Sequence, residues 1–191
     1  MGEECCGPGE SPTIDIEEVH DLLNYIAGEF HPPSSERWID DFSPATGIRI
    51  ARIPCSDQQD VDAAVSAARA ALPEWSALTH AQRADWIDKI ADALEERSEE
   101  VAQLESLDTG KPITLARTVD AARSVDNFRF FAEYVREFVP ETFEMQGATN
   151  HVVYKPVGVA GLITPWNLPL YLLSWKVAPA LVMGNTVVAK P

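Results

Sequence analysis

The sequence predicts an α/β fold built on a parallel sheet, and three observations predict it. The run Val157 to Ile163 consists of small and branched apolar residues and ends in a polar turn, the pattern of a strand buried on both faces whose carboxyl end opens into a site. Leu168 to Met183 is apolar on nearly every face, with Pro169 near its first turn and Gly184-Asn185 closing it, so it reads as a buried helix. Thr186 to Lys190 then reads as a second strand. Strand, helix, strand is the first crossover of a nucleotide-binding sheet, and ligands bind at the carboxyl ends of such strands.

Taken in order, residues 1 to 20 lack periodicity and carry Gly, Pro and Glu, which suits a disordered acidic tail. From Tyr25 to Pro54, the short β-prone runs Tyr25-Ile26, Trp38-Ile39 and Ile48-Arg-Ile50 alternate with Gly28, Pro32-Pro33 and Pro44 to Gly47, and predict a small meander of strands. Ser56 with Gln59, and Thr79 with Gln82, have capping-box spacing at two helix starts. Val61, Val65, Ala68 and Leu72 mark one face of the first helix, and Trp86, Ile90 and Leu94 one face of the second, with Pro73 between the two helices. A longer helix spans about Ile113 to Phe138 and carries Leu115, Val119, Ala122, Val125, Phe128, Phe131, Val135 and Phe138 at helical spacing; this stripe reads as core. Pro140 ends it, and Thr142 to Tyr154 looks extended and partly polar.

Composition narrows the partners. The 191 residues suffice for a sizeable core, and the formal net charge of −15 argues against nucleic acid or an anionic membrane surface. Ten carboxylates face three basic residues between Glu74 and Asp108, and read as a solvated helix face. Leu168 to Met183 is too short to span a membrane and carries Lys176. Cys5, Cys6 and Cys55 are an odd number with no framework spacing, so a reducing, cytoplasmic setting is expected rather than a disulfide scaffold; no metal site is expected. The start lacks a secretory pattern; the alternative of Gly2 myristoylation with palmitoylation of Cys5 or Cys6 places a Cys where Ser or Thr is preferred.

Gly158-Val-Ala-Gly161, Pro165-Trp-Asn-Leu-Pro169, Trp175-Lys176, Pro179-Ala-Leu, Gly184-Asn185 and Ala189-Lys-Pro191 together resemble the aldehyde dehydrogenase superfamily, in order and in spacing. Upstream, Tyr25-Ile-Ala-Gly-Glu-Phe30, Pro44-Ala-Thr-Gly47 and Asp108-Thr-Gly-Lys-Pro112 match the family's amino-terminal half. The resemblance covers roughly residues 21 to 191. It implies an incomplete amino-terminal part of a Rossmann-like NAD-binding domain, with a helical segment and an extended oligomerisation arm at residues 141 to 156, and without the catalytic domain. It also implies NAD as cofactor, with NADP not excluded, a small-molecule aldehyde as substrate, and a homo-oligomer for the full-length enzyme.

The same resemblance assigns roles. Asn167 matches the asparagine whose amide meets the carbonyl oxygen of the aldehyde; loss of one such oxyanion donor typically costs about 10²–10³ in turnover. Its alternative is a turn residue capping the next helix. Lys190, at the end of the second strand, matches the lysine that meets the adenosine ribose, a charged hydrogen bond of about 1.5–3 kcal/mol, and otherwise is an ordinary strand-end lysine. Ile163, Thr164, Pro165 and Trp166 match the segment along the cofactor. Leu168, Leu172 and Trp175 match the aldehyde tunnel or else are core. Lys176 is either active-site support or one half of an ion pair.

Arg123 bears on the substrate. It lies four residues after Val119, at the border of an apolar stripe, where a guanidinium is expensive unless it meets an anion. The stretch Leu115 to Phe131 is similar to the branch acting on 2-aminomuconic and 2-hydroxymuconic semialdehydes, in which an arginine at this place faces the substrate carboxylate. The alternative is a salt bridge to Asp120 or Asp126, or to a residue of a longer chain. The family's catalytic cysteine and general-base glutamate fall beyond the residues given, so the chain by itself is expected to be inactive. Two readings follow: part of an NAD-dependent aldehyde dehydrogenase, or a short non-catalytic protein that pairs with full-length subunits through Thr142 to Tyr154.

Overall fold

A computed structural model describes residues 20–191; residues 1–19 of the expected tail, with the lipidation candidates Gly2, Cys5 and Cys6, lie outside the described residues, and His20 opens the first strand. The amino-terminal strands are β1 (His20–Asp21), β2 (Asn24–Ile26), β3 (Glu29–His31), β4 (Trp38–Phe42) and β5 (Arg49–Pro54). They do not form one meander. β2 and β3 pair as a separate hairpin, while β5 is central in a three-stranded sheet, parallel to β1 and antiparallel to β4.

Three helices follow: α1 (Gln58–Ala77), α2 (His80–Glu96) and α3 (Ser98–Thr109). The cap of α1 is Asp57 rather than Ser56: its carboxylate accepts the Gln59 N–H at 2.9 Å and Asp60 returns the bond to the Asp57 N–H at 2.9 Å. Ser56 instead donates to Asn24 Oδ1 at 3.0 Å. Burial pushes the Asp60 carboxyl up, but the N–H groups of Asp57 and Ser34 outweigh it and hold the group below its ordinary range. Thr79 caps α2 with Gln82 as the spacing predicts. Pro73 does not separate the helices; it lies inside α1, where a missing N–H costs one hydrogen bond near an end that is held by Trp75 Nε1 donating to the Leu181 carbonyl at 3.0 Å.

The core is built where α2 meets α5 (Ala122–Glu137) and α6 (Pro169–Val182), around Ala84, Ile87, Ala91, Val125, Phe128, Ala132, Val135, Ala178 and Val182. The buried face of α2 is thus Ala84, Ile87 and Ala91, not Trp86 and Ile90. Small alanines let the helices approach closely, and Trp86 stays half-exposed with Lys89 Nζ 4.1 Å above its ring. Asp85, Asp88, Asp92 and Glu95 do lie on the solvent side of α2, where Arg129 and Arg136 of α5 pair with them.

The long helical run has a fault in it. Between α4 (Ile113–Leu115) and α5, residues Ala116–Ala121 form a π-helical segment. The extra residue in that turn rotates everything upstream of it by about 100° relative to α-helical spacing. Ala116, Asp120 and Ala121 become buried, while Leu115 and Ala122, which belong to the predicted stripe, face solvent.

Beyond α5, β6 (Thr142–Met145) and β7 (Ala148–His151) form an antiparallel hairpin whose residues are all exposed. β8 (Val159–Ile163) and β9 (Thr186–Lys190) then pair in parallel, Val159 opposite Thr186 and Ile163 opposite Lys190, with α6 as the crossover. Neither the strand nor the helix is buried throughout. β8 is half-buried, with Ile163 71% exposed, and only Ser174, Ala178 and Val182 of α6 are buried. Two strands covered by α1 and α6 bury less than a full doubly wound sheet would.

Candidate active site

The carboxyl ends of β8 and β9 meet at one point. The Thr164 N–H donates to the Lys190 carbonyl at 3.2 Å, extending the parallel ladder one step past Ile163. The turn Thr164 to Leu168 starts from this point and feeds α6. Lys190 is exposed, its Nζ donating to the Pro191 carbonyl. Trp166 is 85% exposed, and Pro165 and Asn167 are exposed beside it. Thr164 differs: it is buried, and its Oγ1 has no partner. A cationic donor, Lys190, and two open apolar side chains, Ile163 and Trp166, at one strand end suit a nucleotide's ribose hydroxyls and flat ring.

Asn167 does not cap α6. The cap residue is Leu168, which makes no side-chain capping bond, and Pro169 at the first helical position has no N–H to offer. The first N–H of the helix, that of Leu170, is taken by Glu105 Oε1 at 2.9 Å from α3. Asn167 is exposed at the turn and takes no part in capping α6.

Lys176 is exposed rather than buried, and it makes no ion pair among the described residues; its Nζ donates to the Ile163 carbonyl, at the end of β8. It ties the helix to the strand end that it follows. Trp175, 43% exposed, stands edge-on to Phe131 at 5.8 Å and to Tyr171 at 6.5 Å; Leu168, at the cap of α6, and Leu172, in its first turn, are half-buried.

Arg123 lies in the first turn of α5, exposed, and takes no part in the ion pairs among the described residues. Neither local aspartate holds it: Asp120 is fully buried and bound to Lys111 at 2.7 Å, because the π-helical turn rotates the two residues apart. One turn after Arg123, Asn127 donates to Ser174 Oγ at 2.8 Å and to the Tyr171 carbonyl at 3.4 Å. Residues four apart share a helix face, so Arg123 stands one turn nearer the start of α6.

Sequence reasoning missed a buried ionic cluster. Lys111 Nζ lies 3.4 Å from Glu105 Oε2 and 2.7 Å from Asp120 Oδ1, with the three side chains 10%, 7% and 0% exposed. Glu105 is thus no part of a solvated acidic face. The available signal was Lys111 within Asp108-Thr-Gly-Lys-Pro112; the polar phase of Asp120 and Asn127 on an apolar helix was another, masked by the π-helical shift.

The sequence profile of the aldehyde dehydrogenase family matches residues 30–191. A 2-aminomuconic semialdehyde dehydrogenase of Danio rerio is 52% identical over 172 residues, which are 89% of this chain and 35% of that one. A 2-hydroxymuconic semialdehyde dehydrogenase of Pseudomonas sp. (strain CF600) is 44% identical over 179 residues, covering 91% and 37%. Among solved structures, the NAD+ complex of an aldehyde dehydrogenase from Bacillus cereus superposes with a TM-score of 0.86 at 38% identity, over 92% of this chain and 36% of that one. The chain spans about a third of the length of these relatives.

Proposed function

Because this chain belongs to the aldehyde dehydrogenase family, we propose that it forms part of an NAD-dependent enzyme that oxidises a carboxylated semialdehyde of the muconic type to the acid. The observation that carries this reading is the free Asn167 amide at the carboxyl end of β8, beside the Lys190 strand end and relieved of helix capping by Glu105. The names of the relatives above support the substrate class.

The role of Asn167 is to donate a hydrogen bond to the oxygen of the aldehyde as it gains negative charge, a task a neutral, pre-oriented donor performs without itself ionising. Lys190 would hold the ribose hydroxyls of NAD, with Ile163, Thr164, Pro165 and Trp166 along the cofactor; bound NAD supplies the hydride acceptor. Arg123 would pair with the substrate carboxylate, and Leu168, Leu172 and Trp175 would line its path. Lys176 supports the strand end through the Ile163 carbonyl. The thiolate and the base that such an oxidation also needs come from none of the residues gathered at this turn.

We place the enzyme in the cytoplasm on its cysteine usage; no described helix is long and apolar enough to cross a membrane. The fully exposed hairpin β6–β7, with Phe143 and Met145 open to solvent, supports pairing between subunits through this arm. In a complete enzyme built on this chain, Asn167→Ala is expected to lower kcat by about 10²–10³ with the KM for NAD almost unchanged. Intact turnover with reduced stability would overturn the assignment.

A further inference from the structure

We propose that Glu105 is a positioning residue for Asn167, holding the catalytic turn from a distant helix through the first N–H of α6. The proposal rests on the oxyanion role given to Asn167 and extends it to the residue that aims it.

The geometry is that of an anchor. α3 ends at Gly110, whose φ of +72° reverses the chain and brings Lys111 back over the helix. Ser106 Oγ donates to the Lys111 carbonyl at 2.7 Å and locks that return. Lys111 then reaches both carboxyl groups of the cluster, Glu105 on α3 and Asp120 on the π-helical turn. One ammonium serves two buried carboxyls, and Asp120 Oδ2 remains without a partner. The second oxygen of Glu105 is the one that finds a different donor, the Leu170 N–H at 2.9 Å.

That donor is at the positive end of the α6 dipole, where an anionic acceptor is favoured. Among the described residues Glu105 is also the only one whose side chain accepts a backbone N–H at the helix start: Leu168 makes no capping bond and Pro169 has no N–H. Asn167 is three residues upstream of Leu170, and Pro169 between them has its φ restricted by its ring. Fixing Leu170 against α3 therefore restricts where the Asn167 amide points, while its exposed side chain contributes no tie of its own. A 65-residue separation between Glu105 and Leu170 makes the anchor tertiary rather than local.

The test is amide hydrogen exchange, read by mass spectrometry over Thr164–Leu172 of this chain, with segments of α2 and the second half of α5 as controls. Glu105→Met leaves a charge-balanced Lys111–Asp120 pair, and is expected to raise exchange about a hundredfold in Thr164–Leu172 with the controls unmoved. Glu105→Gln keeps an acceptor of the same reach but loses the charge, and should raise it by a smaller factor, about threefold to tenfold. Asp120→Asn leaves the Glu105–Leu170 bond in place and should change nothing there. Unaltered exchange in Thr164–Leu172 of the Met variant, or an equal rise in every segment, would overturn the anchor. If the Met variant does not fold, Glu105→Gln decides alone: a rise confined to the turn supports the anchor and its absence refutes it. In a complete enzyme, Glu105→Met should lower kcat, with Gln restoring it. If Asn167→Ala there leaves kcat untouched while the exchange results hold, the oxyanion reading fails and the anchor stands.

Discussion

Arg83 Nε donates to the Val182 carbonyl at 2.7 Å, ninety-nine residues downstream, while its Nη1 bonds to the Leu78 carbonyl in the loop before its own helix. The last turn of α6 is therefore finished by other helices. The Leu181 carbonyl takes Trp75 Nε1, and the Ala180 carbonyl takes both the backbone N–H and the side-chain amide of Asn185, at 3.0 and 3.1 Å. Gly184, at φ +88°, gives the chain its left-handed step there, and a Cβ on it would stand 3.4 Å from Arg83 Cζ. Burial lowers the Arg83 pKa from its ordinary value, yet arginine remains charged at any working pH. A cation beneath the carboxyl end of a helix opposes the negative end of its dipole.

Arg83→Leu should lower stability by about 2–4 kcal/mol, since it strands two carbonyls that are otherwise satisfied in a packed region. The urea midpoint measures this. A midpoint equal to that of the parent would mean that water replaces the guanidinium without cost.

Asp108, at the end of α3 and exposed along part of its surface, has its carboxyl pushed up to about 6 by partial desolvation and by the carboxylate of Asp41 on β4. A folded-state pKa above the unfolded value means that the protonated form is the better tolerated one. The group weakens the fold as pH rises from about 4 through 6. Asp108→Asn should thus be more stable than the parent at pH 7, by about 1 kcal/mol once the exposure of the site is allowed for, and indistinguishable from it below pH 4. Paired thermal melts at both pH values decide it; an equal gain at both would point to packing instead of charge.

Arg123→Ala, in a complete enzyme built on this chain, should reduce kcat/KM for a carboxylated semialdehyde by about 2–5 kcal/mol where the site is desolvated, and far less for a neutral aldehyde. Steady-state kinetics on the two substrate types compares them. Equal losses would leave Arg123 as a residue that supports its helix, and would remove the residue argument for the muconic substrate class.

Local signals in the sequence determined the crossover. Its strands are branched and apolar, Pro169 opens α6, and Gly184-Asn185 closes it. Thr79 with Gln82 likewise starts α2 where its spacing says, because capping is a negotiation among four adjacent residues. The same logic pointed to Ser56 with Gln59 for α1 and missed by one residue: Asp57 is the cap, the Ser56 hydroxyl being engaged by Asn24 while the Asp60 carboxylate also reaches Ser34.

Only the tertiary structure decided which apolar residues meet. Trp86 and Ile90 look like a core face, yet Ala84, Ile87 and Ala91 are what α5 and α6 can approach closely. Nor does the sequence announce the π-helical turn at Ala116–Ala121, which buries Asp120, frees Arg123 from it and undoes the simple stripe read from Leu115 onward. Glu105 is the clearest case: one more acid in an acidic stretch, buried because Lys111 folds back over α3 and because α6 begins with a proline that leaves its next N–H to be claimed. Dihedral preference and capping act within a few residues and can be read in order, whereas the partner of a buried charge is chosen by whatever the completed packing brings within 3 Å of it.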